Sequence, residues 1–483
     1  MKLGFDEFVE VVSKLVFRAN NVLPVDVQNV LNLSLEQETN STAKMILSIL
    51  QENSLLAQQN SLPICQDTGI DVVFVEIGQD LTIDFNIEKA VNQGISKGTK
   101  EHYLRSSVCD PLTRKNSGDN TPAQIHIDLV GGDGLKITVL PKGCGSENMS
   151  ALFMLPPSSG IKGIVDAVVG QVIKAGPNPC PPGIVGIGIG GTMEVAALLS
   201  KKALLRHVGQ QNPREDVAQL EQEIFSKINK TAIGPQGLGG NTTTFAVHIE
   251  VAGCHIASLP VAVNIQCHAA RQATALFHEG KWSFSKDAIS IQSSKKGVLR
   301  WEDDAQTLQL PITKDAIANL KAGQRVLLNG TLYTGRDQTH KRLEELLEQN
   351  KALPVDLSGQ LLYYVGPSPA PPGRVVGSAG PTTSYRMDSY TPLLLEHGLA
   401  ATMGKGKRSP EVREAMKKHG AIYLATIGGA GAYLSERILS CQPIAFEDLG
   451  PEAMFKMEVK DFPAVVINDV EGNDWYEKVM SNC

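Results

Sequence analysis

The sequence predicts a mixed α/β (α+β) fold in two parts, a larger one over about 1–285 and a smaller one over about 305–483, joined by a linker at 286–304. Three observations predict it. Helical and strand-like periodicities both recur along the chain, and neither dominates. At 483 residues the chain exceeds what one hydrophobic core usually serves. The passage KWSFSKDAISIQSSKKGVLRWEDDAQ, between about 280 and 310, is polar and rich in serine and lysine, as domain connections are.

The elements follow in order. FVEVVSKLVFRA carries an apolar stripe at helical spacing with acids on its other face, and SLEQETNSTAKMILSILQENSLLAQQ repeats the pattern, with Asn40, Ser41 or Thr42 able to cap its latter half. From residue 72 short β-rich runs take over: DVVFVEI, QIHIDLV and LKITVLP, divided by glycine-rich turns. IVDAVVGQVIKAG and MEVAALLSKKALL return to helical spacing, followed by the polar helix of RHVGQQNPREDVAQLEQEIF. TFAVHIEVAGCHIASLPVAVNIQ reads as two strands with a turn at Gly253. In the second part, AGQRVLLNGTLYTGRDQTHKRLEELLEQN reads as strand, loop and helix. LLYYVGPSPAPPGRVVGSAGPTTSYRMD reads as a strand and a long loop, and IYLATIGGAGAYL and AVVINDVEGN as short strands. No internal repeat is visible.

Composition excludes several classes. Forty-five basic residues against 51 acidic ones leave a net charge of −6, so no bulk field draws the chain to nucleic acid or to an anionic membrane. Aromatic residues are only 5% of the chain, too few to suggest base-stacking platforms. The uncharged stretches 175–193 and 420–435 are interrupted by proline and glycine or too short to cross a bilayer. The N-terminus is an amphipathic helix without the apolar core of a signal peptide, so a cytoplasmic location is expected. None of the eight cysteines forms a zinc-ribbon, ferredoxin or thioredoxin-type spacing.

Three cysteines nevertheless stand in unusual loops: Cys65 in LPICQDTG, Cys180 in NPCPPG and Cys267 in NIQCHAAR. Taken singly, each is readily an ordinary buried thiol. Taken together, three scattered thiolates are what a 4Fe-4S cluster with one open iron requires, although spacing alone does not establish one. Gly186, Gly188 and Gly191 satisfy the dinucleotide pattern G-x-G-x-x-G ahead of a helix. The acidic strand end that should follow is missing, which leaves a NAD-dependent oxidoreductase as the reading from a different class. Arg336 and Arg386 lie in glycine-rich loops of the second part, where guanidinium forks suit an anionic substrate or pair with surface acids.

These motifs resemble the class I fumarate hydratases, iron–sulfur enzymes related to the L(+)-tartrate dehydratases. PICQDTG, LRSSVCDPLTRKNSGDNTPA, KGCGSENMS, CPPGIVGIGIGG and LPVAVNIQCHAAR resemble the α part of that family. TGRDQTHKR, GPSPAPPGRVVGSAGPTTSYRMD and MGKG resemble its β part, here fused to the first. The resemblance implies a cluster-binding N-terminal α/β domain and a swivelling-type C-terminal α/β domain. It implies Cys65, Cys180 and Cys267 as ligands of a 4Fe-4S cluster, and Asp67 and Thr382 as catalytic residues. It implies Gln66, Arg105, His255, Arg336, Arg386 and Lys405 as substrate-binding residues, and a homodimer. Cys144 departs from the family pattern, where a glycine or another non-ligand is expected. The activity implied is hydration of fumarate to (S)-malate, with L(+)-tartrate or another hydroxy-dicarboxylate as the alternative substrate.

Overall fold

The computed structural model describes residues 3–269, 272–285 and 300–481. Most of the expected linker, 286–299, and Cys483 lie outside the described residues. Three sheets organise the described residues.

The first sheet has the order β2-β1-β3-β8-β9, with β1 (Ile70–Gly78), β2 (Gln124–Val130), β3 (Leu135–Lys142), β8 (Ala273–His278) and β9 (Lys281–Phe284). β1 and β2 are parallel and the remaining pairs antiparallel. The helices Phe5–Asn21 and Ile87–Glu101 cover it, burying Phe8, Val12, Leu15, Val91 and Ile95 with Val73, Val75 and Ile137. The two helices approach closely at Gly94, where an added Cβ would lie 2.5 Å from the Val12 Cβ.

The second sheet has the order β4-β7-β5-β6, with β4 (Ala151–Leu155), β5 (Gly183–Ile189), β6 (Thr244–Val251) and β7 (Leu259–Cys267). The sequence reads β6 and β7 as consecutive strands with a turn at Gly253. They do not pair, because β5 lies between them, parallel to β6 and antiparallel to β7. The helix Met193–Ala203 packs on β5, and this contact accounts for the glycine pattern there. A Cβ on Gly186 would sit 2.2 Å from the Ser200 carbonyl oxygen, and one on Gly188 would sit 2.0 Å from that of Ala196. Those glycines let helix backbone touch strand backbone, so the dinucleotide pattern has a packing explanation.

The third sheet has the order β10-β11-β12-β13-β14-β16-β15. Its strands are β10 (Gln306–Leu310), β11 (Arg325–Thr334), β12 (Leu361–Tyr363), β13 (Ala401–Gly404), β14 (Ile422–Ala425), β15 (Ile438–Ala445) and β16 (Met454–Asn468). Parallel pairings run from β10 to β14, and the long β16 pairs antiparallel to β11, β14 and β15. The run IYLATIGGAGAYL, read as a strand, gives β14 followed by the short helix Gly431–Ser435.

The helical region before residue 60 divides into Val25–Gln37 and Ser41–Gln59. Asn40 caps the second, its Oδ1 accepting from the Ala43 N–H at 3.0 Å. This helix joins the core of the third sheet, Ile46 and Leu50 being buried in one cluster with Leu362, Leu424 and Leu434. The two sequence-defined parts therefore share apolar surface, and their loops meet.

Candidate active site

Local chain geometry brings the three scattered cysteines together. Cys65 lies in the loop between the helix Ser41–Gln59 and β1. Cys180 lies just before β5, held at φ +57°, and Cys267 ends β7. The β5–β7 register aligns Gly183 with Cys267, which closes the sequence gap between the second and third thiols. Cys180 hydrogen-bonds to Cys267, Cys65 feels the charge of Cys180, and Cys267 feels that of Cys65. Burial, reinforced by Asp67, pushes the Cys65 thiol up to about 11. The bond to Cys267, with burial, raises Cys180 well above the ordinary range, while Cys267 is lowered by that same bond.

The C-terminal part closes over these thiols. A Cβ on Gly428 would stand 2.2 Å from the Cys180 sulfur, and one on Gly431 would stand 3.2 Å from the Cys65 Cα. Lys405, at the end of β13, donates its Nζ to Cys180 Sγ at 2.6 Å. The neighbouring thiols raise the Lys405 ammonium above its ordinary range against the opposing effect of burial. Among the described residues no group of three or more His, Cys, Asp or Glu side chains is arranged to hold a single metal ion. Three soft sulfur donors spread around a glycine-walled space, with a cation to balance thiolate charge, fit a larger iron–sulfur group better than one ion.

Beside the thiols opens a cavity of about 790 Å³, lined by Asp67, Arg105, Cys144, Arg336, Thr382 and Arg386. Asp67 sits in the turn after Cys65. Its Oδ1 accepts from Arg105 Nη2 at 2.7 Å and its Oδ2 from the Cys144 N–H at 3.0 Å. Burial alone would raise this carboxyl, but Arg105, Lys405, Arg336 and Arg386 outweigh it and hold Asp67 below the usual carboxylate range. Arg105 also donates to the Gly366 carbonyl at 2.9 Å, bridging the two parts of the chain. Arg336 pairs with Glu452 at 3.3 Å and Arg386 with Asp337 at 3.0 Å. Arg386 donates to Thr382 Oγ1 at 2.5 Å. Gln66 is buried and donates to the Pro381 carbonyl at 3.2 Å, while its Oε1 accepts from the Cys65 thiol at 3.2 Å.

Ten of the eleven residues named from the sequence thus gather here; His255 does not. It occupies the exposed connection between β6 and β7, where its Nδ1 accepts from the Ala257 N–H. That connection is at the end of the second sheet where Ile189 pairs with Val261, opposite the Gly183–Cys267 end. Within one chain, the length of β5 separates His255 from the thiols. His255 is therefore the one sequence-named residue that this chain does not bring to its own thiols.

Other groups were less visible in the sequence. Asp337 and Glu452 are the counter-ions of two arginines, and Cys144 lines the cavity as well as pinning Asp67. Asp337 could have been found from its place beside Arg336. Glu452 carries no local signal, because it lies 116 positions beyond Arg336. A larger cavity, about 1040 Å³, is lined by Phe74, Lys136, Arg206 and His207 and contains none of the three thiols. Its charges are matched internally, Lys136 with Glu76 at 2.8 Å and Lys202 with Asp128 at 2.6 Å.

Comparison with known proteins identifies the family of the chain. The family model described as fumarate hydratase (Fumerase) matches residues 9–276, and that described as fumarase C-terminus matches 282–479. The anaerobic class I fumarate hydratase of Escherichia coli is 32% identical, over 92% of this chain and 85% of its own length. Fumarate hydratase 2 of Leishmania major is 31% identical over 92% of this chain and 82% of its own. A Methanocaldococcus jannaschii protein, provisionally named L(+)-tartrate dehydratase subunit alpha, is 45% identical over 55% of this chain and 95% of its own. The chain belongs to the class I fumarate hydratase family and is an enzyme of the hydro-lyase type.

Proposed function

We propose that the protein is a fumarate hydratase, catalysing the reversible hydration of fumarate to (S)-malate with a 4Fe-4S cluster held by Cys65, Cys180 and Cys267. The observation that carries this reading is the gathering of one carboxylate, Asp67, with Arg105, Arg336, Arg386 and Lys405 beside three coupled thiols. When bound, such a cluster supplies a Lewis acid able to polarise the hydroxyl that leaves malate.

The remaining work falls to the chain's own residues. The guanidinium groups of Arg105, Arg336 and Arg386 bind and orient the two carboxylates, and they stabilise the charge that builds when a C–H proton is removed beside one of them. Asp67 removes that proton in the dehydration direction and returns it in hydration. Thr382, bonded to Arg386, relays it or holds the carboxylate in place. The elements of water leave malate as a proton to Asp67 and a hydroxide, giving fumarate. Gln66 fixes the Cys65 thiol, and Lys405 offsets negative charge on the sulfurs.

A homodimer belongs to this reading, supported by the exposed apolar residues Ile127 and Leu129 on the edge strand β2. The cytoplasmic location expected from the sequence belongs to it as well. Tartrate dehydration is the second reading, favoured by the higher identity to the tartrate-named relative over the N-terminal part. Steady-state rates of the cluster-loaded enzyme on fumarate, (S)-malate and L(+)-tartrate test both. A kcat/KM for fumarate well above that for tartrate supports the first, and the reverse order replaces it with the second.

A further inference from the structure

Residues 106–119 form a flap that walls one side of the cavity. The chain doubles back on itself there, with Asp110 N–H bonded to the Lys115 carbonyl and Ser117 N–H to that of Val108, each at 2.9 Å. Ser107, Cys109, Arg114 and Lys115 line the cavity, and Leu112 at the tip is 91% exposed. Asp119, at its end, is tied to Ser96 on the helix Ile87–Glu101, and further ties gather at its neck.

Asn120 stands at that neck, 2% exposed and at φ +63°. Its amide makes four hydrogen bonds, which is its full capacity. Oδ1 accepts from the Ser107 N–H at 2.8 Å and the Val108 N–H at 3.3 Å. Nδ2 donates to the Gly69 carbonyl at 3.1 Å and to Asp71 Oδ2 at 2.9 Å. Its own backbone N–H donates to Ser106 Oγ at 3.0 Å. One buried side chain thus joins both ends of the flap to the turn that follows Asp67. Thr68 Oγ1 adds a second tie, donating to the Arg105 carbonyl at 2.8 Å. Glycine would satisfy the left-handed backbone, so what the asparagine side chain contributes is these four bonds.

We propose that Asn120 is a positioning residue for the reaction, stapling the 106–119 flap over the cavity and holding Arg105 in register with Asp67. Asn120 touches neither substrate nor thiols; it acts through Arg105 and the flap. The effect on catalysis rests on the fumarate hydratase reading, whereas the effect on the flap does not.

The test compares cluster-loaded wild type with Asn120→Gly, which keeps the backbone conformation while removing the four bonds, and with Asn120→Asp, which keeps only the two accepting contacts. Trypsin nicking after Arg114 and Lys115, followed by mass spectrometry, reads the flap; fumarate kinetics read the site. In Asn120→Gly, nicking should accelerate about tenfold and kcat/KM should fall about 30-fold, mainly in kcat, with cluster absorbance retained. Asn120→Asp, which turns an acceptor oxygen toward the Gly69 carbonyl and the Asp71 carboxyl where the donor stood, should also be nicked faster than wild type. Unchanged nicking in Asn120→Gly overturns the proposal, whether or not activity falls. Faster nicking with unchanged kcat/KM overturns its catalytic half. If the wild type does not hydrate fumarate, the functional reading fails while the nicking comparison still decides the staple.

Discussion

The Lys405 ammonium stands 2.6 Å from the Cys180 sulfur, a contact that joins the two sequence-defined parts of the chain at the centre of the site. Thiolate ligands carry negative charge into a buried space, and a cation there offsets the cost. The same ammonium helps to hold the Asp67 carboxyl ionised. One residue of the C-terminal part thus serves both the thiols and the acid of the N-terminal part.

Replacing Lys405 with methionine keeps the unbranched stem and removes the charge. Activity should fall by about 100-fold or more, the scale of losing one preorganised charged donor. Initial rates on fumarate, normalised to bound iron, check this. A rate within about threefold of wild type would remove Lys405 from the site's chemistry.

Asp67→Asn keeps the acceptor facing Arg105 and abolishes the proton acceptor. Turnover should drop by about 10³-fold while cluster absorbance is unchanged. Retained turnover would assign the base elsewhere.

Asp71 gives a pH signature separate from catalysis. It is buried in β1, bonded to Asn120, and burial raises its carboxyl from 3.8 to about 7. Below pH ~4 the group is protonated in both the folded and unfolded chains. As pH rises to about 7 the unfolded chain loses this proton while the folded one keeps it, so stability falls by up to ~4 kcal/mol and then levels off. Asp71→Asn removes this contribution. The melting temperature of the variant should therefore gain on wild type between pH 4 and pH 7, and a constant difference would show that Asp71 stays ionised when folded.

Gly188→Ala tests the packing account of the glycine pattern. The added methyl group would meet the Ala196 carbonyl oxygen at 2.0 Å, and overpacking of this kind costs about 1–3 kcal/mol. Thermal melting should drop by several degrees, and NAD should shift the melting of neither protein. Stabilisation of wild type by NAD would revive the oxidoreductase reading.

Much of the site was legible because its parts carry local chemistry. A thiol followed by Gln66 and Asp67, prolines around Cys180, and arginines in glycine-rich loops stand out on the chain. Gly186 and Gly188 fit a dinucleotide pattern by eye because close helix–strand packing and phosphate binding both demand a missing Cβ. The place of His255 was hidden because it neighbours a strand that ends at Cys267, and only the direction of β7 shows that within one chain it lies at the other end. The separation of β6 from β7 by β5 was hidden because strand order depends on long-range pairing. Asn120 was present in a quoted motif, but its role depends on a left-handed turn and four partners that spacing does not reveal.

The most direct test of the central claim is fumarate hydration by anaerobically purified protein reconstituted with iron and sulfide, measured before and after exposure to air. The account predicts rapid turnover that requires the cluster and falls away on exposure to air. Turnover that is equal in the iron-free protein, or undiminished after the cluster is destroyed, would contradict it.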